Sequence, residues 1–220
     1  MFTVGKFKVD ILADDQYIGA CLSRGHEWDA WMRQDLPHLV KPGMDILDIG
    51  GNIGWNALMF SDYGPVHTFE PLYHPIAQKN VDQNTTTWPI TVHPYGLSSS
   101  EATVPIYQER HNAESTCNYG GSTLVPHDVT GYDRVADIQV KRLDDAYTGT
   151  PCLIKIDVEN HELEVLKGAA QTIRKHLPHM YVEIFDFDNG PVPKFLKELG
   201  YTQILPRPEH NYLFVSPLKT

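Results

Sequence analysis

The residues of this chain that can do chemistry fall into two groups. The first is Asp48-x-Gly50-Gly51-Asn52-x-Gly54, which closes an apolar run and opens a helical pattern. Glycines at such a corner let a backbone approach a cofactor closely, and the amides of a helix start favour an anionic group. A dinucleotide fingerprint beginning at Gly50 needs glycine at positions 52 and 55, where the chain has Asn52 and Trp55. An acid two residues before the first glycine, with glycine again at 54, suits S-adenosylmethionine instead. Glu70 ends the next strand-like run, about 20 residues after Asp48, where a carboxylate can accept hydrogen bonds from both hydroxyls of a ribose. The competing reading is a tight turn without ligand and an exposed strand-end charge. The expected cofactor residues are Asp48, Gly50, Gly51, Asn52, Gly54 and Glu70.

The second group is Lys155, Asp157 and Glu159, alternating along an apolar run and followed by His161, with Glu183 equivalently placed on the next run. Charged side chains are rarely left in such runs unless paired or used. Crowded carboxylates raise one another's pKa, and with a histidine they can take a proton from a hydroxyl. Asp157, Glu159, His161 and Glu183 are therefore the catalytic candidates. Asp157 and Glu183 also suit a hard cation such as Mg²⁺ or another divalent ion. A purely structural ion network around Lys155 is the alternative. Of the other histidines, His74, His93 and His111 could reach the same sheet edge. No His or Cys spacing fits a transition-metal site.

The elements that must position these groups alternate strand and helix from residue 44 onward. Helices are expected over 27–40 and, as one piece, over 162–177, and a strand over 7–12. One strand is expected across 90–98, and two strands close the chain. The polar stretch 110–128 is too long for a simple connector. Within it Asn118, Tyr119 and Ser122 are candidate acceptor contacts, and 112–124 is expected to order over an acceptor. The predicted fold is α/β: a seven-stranded, mostly parallel Rossmann-like sheet with helices on both faces. Six strands are parallel and one is antiparallel near the C-terminal edge. One domain is expected over 1–220, with a preamble at 1–42 and a cofactor-binding half at 43–100. A variable substrate region at 101–149 and the second half of the sheet at 150–220 complete it.

A net charge of −10 and a pI of about 5.5 argue against nucleic acid and anionic membrane as partners. The three cysteines lack C-x-x-C spacing, so neither a disulfide framework nor structural zinc is expected. With no signal-like start and no long apolar run, the expected location is cytoplasmic. A homodimer is left open.

Taken in order, LDIGGNIGW, HTFEP, the LDD at 143–145, IKIDVENHELEVLKGA and YVEI resemble the FkbM family of S-adenosylmethionine-dependent methyltransferases. The resemblance runs from about residue 27 to the end. Gly51 stands where the family usually has alanine, a change expected to be harmless. Asn160, followed by His161, stands where it usually has glycine, beside the presumed reaction centre. The resemblance implies O-methylation of a hydroxyl on a sugar, a glycan or a small natural product, with a carbohydrate favoured. A non-catalytic cofactor-binding module and a nicotinamide-dependent sugar oxidoreductase are the competing readings.

Overall fold

The computed structural model describes residues 1–110, 117–126 and 129–218. Strands β1 (Phe2–Val4) and β2 (Phe7–Val9) form a separate antiparallel pair, so the run at 7–12 does not join the main sheet. Helices α1 (Ile18–Ser23) and α2 (Met32–Leu39) follow. The next half comprises β3 (Asp45–Ile49), α3 (Trp55–Phe60), β4 (Val66–Phe69), α4 (His74–Asp82) and β5 (Ile90–His93). Three strands then form a second sheet: β6 (Gly96–Leu97), β7 (Ala102–Glu109) and β8 (Tyr132–Lys141), in the order β6-β8-β7. The last half comprises α5 (Leu143–Ala146), β9 (Pro151–Ile156), α6 (Glu162–Gly168), α7 (Ala170–His176) and β10 (His179–Glu183). It ends with α8 (Pro191–Glu198), β11 (Ile204–Pro206) and β12 (Asn211–Phe214).

The main sheet has seven strands in the order β11-β12-β10-β9-β3-β4-β5. Neighbours from β10 to β5 are parallel, and β12 runs antiparallel to both β10 and β11. Strand order therefore reverses between β3 and β9, the switch point where open α/β sheets bind ligands. Ile49 pairs with Ile156 there, which sets both chemical motifs side by side.

Alternate residues of the central strands feed two cores. Leu47, Ile49, Ile154, Ile156 and Val182 pack with α6 to α8, whereas Ile46, Leu153 and Tyr181 pack with α2 and α3. Strands buried on both faces read as continuous apolar runs, and these do. Asp48 and Lys155 interrupt them as register partners, both buried.

Several boundaries differ from expectation. The helix expected over 27–40 begins only at Met32, because Asp29 takes φ 54° and turns the chain. Trp31 is left to pack edge-on against Tyr181. The helix expected over 162–177 is broken at Ala169 into α6 and α7. The run at 90–98 splits at Pro94 into β5 and β6, which belong to different sheets. β8 carries Asp133, Arg134, Asp137 and Lys141, and this charge hid it within the variable substrate region expected at 101–149.

Candidate active site

At the C-terminal ends of β3, β4, β9 and β10 lies a cavity of about 300 Å³, within the range of small-molecule sites. One end is built by the glycine corner and Glu70, and Phe69, Leu97, Ile106, Ile138 and Val140 form an apolar wall. Much of that wall is the second sheet.

Every amide of the corner already has a partner. Gly50 and Gly51 donate to Phe69 O (3.0 and 3.3 Å), and Gly54 donates to Gly51 O (2.8 Å). Asn52 donates to Glu70 Oε2 (2.9 Å), and Ile53 donates to Asn52 Oδ1 (2.7 Å). Asn52 and Glu70 thus close the loop on itself. Glu70 Oε1 accepts from Leu72 and Tyr73 (2.7 and 2.8 Å). A carboxylate oxygen can accept two bonds, so Oε2 keeps one acceptor position. Burial pushes the Glu70 carboxyl up to about 7 against these three donors. The residues present fit an uncharged adenosine moiety: a carboxylate acceptor, an apolar wall and glycines that admit close approach.

Asp48 and Gly54 do not line the cavity. Asp48 is wholly buried and accepts from Thr68 Oγ1 (3.0 Å), while its Oδ1 has no partner among the described residues. Gly51 is not a neutral replacement, because a β-carbon there would lie 1.9 Å from Thr68 Oγ1. Gly54, at φ 82°, turns into α3 and packs against Ala77.

The other end of the cavity gathers the acids. Lys155 Nζ bonds Asp157 Oδ2 at 2.9 Å, and Asp157, Asp48 and Asp29 together hold the lysine charged despite its burial. Asp29 is fixed by Asn56 Nδ2 (2.9 Å), a buried partnership that had no sequence signal. Carboxylate oxygens of Asp157, Glu159 and Glu183 lie within 4.8 Å of one another. Burial, then the charge of Asp157, pushes Glu159 up to about 8 and raises Glu183 further, with Glu159 adding to the effect on Glu183. Glu159 and Asn160 take φ 53° and 74°, so asparagine replaces glycine at a left-handed position it tolerates. His161 lines the same cavity, and burial lowers its pKa. Its Nε2 is 3.0 Å from Ser98 Oγ.

Asn118, Tyr119 and Ser122 also line the cavity. Asn118 Oδ1 accepts from the Gly121 amide (3.1 Å), and Tyr119 meets Tyr73 edge-on. Ser122 bonds Gln108 (3.1 Å), whose amide also meets the Tyr73 hydroxyl; neither Gln108 nor Tyr73 was singled out by its sequence context. Thr123 ties this roof to the acidic loop by donating to Glu159 O (2.6 Å). His74 bonds Pro71 O, and His93 sits between Phe69 and Tyr95, both away from the cavity lining. His111 and the 112–116 part of the expected lid lie outside the described residues.

Strand order and the cavity at the switch point define a Rossmann-like α/β domain. Residues 48–202 match the model of the methyltransferase FkbM domain, and the chain belongs to that family. Over 160 residues it is 33% identical to the hexuronic acid methyltransferase AglP of Haloferax volcanii, covering 70% of this chain and 62% of that protein. The chain thus spans less than two thirds of that relative's length. The crystal structure of an FkbM methyltransferase from Methylobacillus flagellatus superposes with a TM-score of 0.54 at 21% identity. The match covers 80% of this chain and 44% of that one, and it supports the fold. Among the described residues no helix is long and apolar enough to cross a membrane.

Proposed function

We propose that this chain is an S-adenosylmethionine-dependent O-methyltransferase acting on a hydroxyl of a sugar or glycan. The observation that carries the reading is a single cavity with an adenosine-type corner at one end and Asp157, Glu159, Glu183 and His161 at the other. The carbohydrate choice draws on the relative whose name specifies a hexuronic acid. In this reading 1–220 acts as one domain, with 43–100 serving the cofactor and 101–149 shaping the acceptor end.

The cofactor, when bound, supplies a methyl group activated by a positively charged sulfur. Glu70 accepts from the ribose, with Gly50, Gly51 and Asn52 close to it, while Asp48 and Gly54 hold the corner from beneath. Asp157, anchored by Lys155, and Glu159 orient the acceptor hydroxyl, and alignment of this kind can contribute several kcal/mol. His161, kept neutral at pH 7 by burial, would take the hydroxyl proton at a ring nitrogen as the carbon–oxygen bond formed and the carbon–sulfur bond broke, leaving the cofactor's sulfur neutral. Asn118, Tyr119 and Ser122 contact the acceptor. A divalent cation on Asp157 and Glu183 would acidify the hydroxyl in addition.

The test is mass spectrometry of glycan and metabolite extracts incubated with methyl-labelled S-adenosylmethionine, beside calorimetry with S-adenosylhomocysteine and NAD. Label on a sugar oxygen supports the reading. Binding of NAD alone removes it.

A further inference from the structure

Phe185 leaves β10 two residues after Glu183, lines the cavity and remains 51% exposed. A phenyl ring left this open forgoes the burial that usually holds it inside. Tyr17, 44% exposed at the start of α1, lines the same cavity. Neither ring has a part in the chemistry above.

Phe185 has a built neighbour. Its ring lies 5.1 Å from that of His210, tilted by 44°. The Ile184 amide donates to His210 O at 2.9 Å, which fixes the two segments together. His210 belongs to the turn between β11 and β12, where Glu209 and His210 both take positive φ, 56° and 61°. Hairpin turns of that form favour Asn and Gly, and strained non-glycine residues cluster where a side chain is needed in a particular place. Glu209 on this turn has its pKa raised by burial and, less, by the charges of Asp29 and Asp157.

We propose that Phe185 and His210 form a second acceptor subsite, a stacking platform for the pyranose adjoining the sugar that carries the reacting hydroxyl. A pyranose presents an apolar face of C–H groups to a ring and turns its hydroxyls outward, where Glu209 can accept from them. The ring pair continues the acceptor end of the cavity outward, so its occupant is an extension of the acceptor. The preferred acceptor is then a glycoside of two or more sugars, an inference resting on the carbohydrate reading above.

The test is calorimetry on the full chain saturated with S-adenosylhomocysteine, using methyl monoglycosides and the matching disaccharides. At least one disaccharide should bind about tenfold more tightly than its monoglycoside, and Phe185→Ala or His210→Ala should erase that difference. Phe185→Tyr should retain it, and monoglycoside and S-adenosylhomocysteine affinities should not change. No disaccharide preference in the unmodified chain, or equal weakening of both ligands by Phe185→Ala, overturns the subsite. Methyl transfer to the same panel is scored separately. Disaccharide preference without methylation of any sugar removes the O-methylation reading and leaves the subsite, and methylation without preference does the reverse.

Discussion

The carbonyl oxygen of Asp157 lies 1.8 Å from the position that a β-carbon on Gly50 would occupy. The Asp157 amide, in turn, donates to Ile49 O at 3.1 Å. Cofactor corner and acidic loop are therefore in backbone contact across the β3–β9 switch point, and Gly50, at φ 86°, is what permits it. Gly50→Ala should destabilise the chain by about 2–4 kcal/mol, combining a left-handed β-carbon with overpacking against a backbone atom. It should also weaken S-adenosylhomocysteine binding. Urea denaturation and calorimetry check both, and an unchanged denaturation midpoint would contradict the contact.

Gly51 gives a sharper test, because its crowding partner is a side chain. Gly51→Ala meets Thr68 Oγ1 and should cost about 1–3 kcal/mol. Thr68→Ala alone should also cost about 1–3 kcal/mol, since it strips Asp48 of its hydrogen bond. The double variant should be less destabilised than the sum, because the alanine then has room. Strict additivity in the cycle would show that the two residues do not compete for space.

The sheet was legible because its central strands are uninterrupted apolar runs ending in chemistry-bearing residues, and the alternation of strand and helix forces a parallel order. The site corner was legible for the same reason: Gly50, Glu70, Asp157 and Glu183 all stand at strand ends. What was hidden depends on contacts distant in sequence. Asp29 stops a helix that Trp28, Trp31 and Met32 otherwise favour, and it does so where it meets Asn56. β8 carries charges whose partners are read only from the fold: Arg134 pairs with Asp137 on the same strand, and Asp133 pairs with Arg110 just past the end of β7. That the amides of Asn52 and Ile53 are occupied could not be known until Glu70 and the Asn52 side chain were seen to accept from them.

Buried carboxylates give the protein a pH signature. Glu70 and Glu162 are raised by burial from an ordinary 4.5 to about 7 in the folded chain. A raised acid binds more protons folded than unfolded, so its stabilising share is complete below pH 4.5 and lost as pH rises to about 7. Above that both states of these two groups are ionised, and Glu159, raised to about 8, and Glu183, raised further, carry the decline to higher pH. Between pH 5 and 7 the ligand-free melting temperature of Glu70→Gln should decline less, or rise more, than that of the unmodified chain, because the variant lacks the Glu70 contribution. A Glu70→Gln variant whose melting temperature tracks that of the unmodified chain across this window would overturn the assignment. Calorimetric scans at constant ionic strength provide the measurement.

The roof should serve the acceptor and not the cofactor. Tyr119 rests edge-on against Tyr73, and Ser122 reaches both Tyr73 and Gln108, whereas Glu70 is held by backbone amides alone. Tyr119→Ala should raise the acceptor KM about tenfold and leave the S-adenosylhomocysteine Kd within about twofold. Parallel loss of both affinities would place the roof in the cofactor site.

The reaction centre itself is testable through three side chains with different expected losses. An alcohol is a poor nucleophile until its proton leaves, and a positioned base is worth about 10²–10⁴ in rate. Asp157 is anchored by the buried Lys155, so Asp157→Asn removes an orienting group and unpairs a buried cation; turnover should fall at least about 100-fold. His161→Ala deletes the proposed proton acceptor and should cost about 10²–10³ in kcat with little change in cofactor Kd. Glu159→Gln keeps the shape and a hydrogen bond to the hydroxyl, so about tenfold is expected. Each variant is assayed with and without chelator. Chelation should silence the unmodified enzyme only if a cation sits on Asp157 and Glu183. Should Asp157→Asn and Glu159→Gln both turn over at nearly the original rate, the methyl acceptor lies elsewhere in the cavity and the assigned centre is wrong.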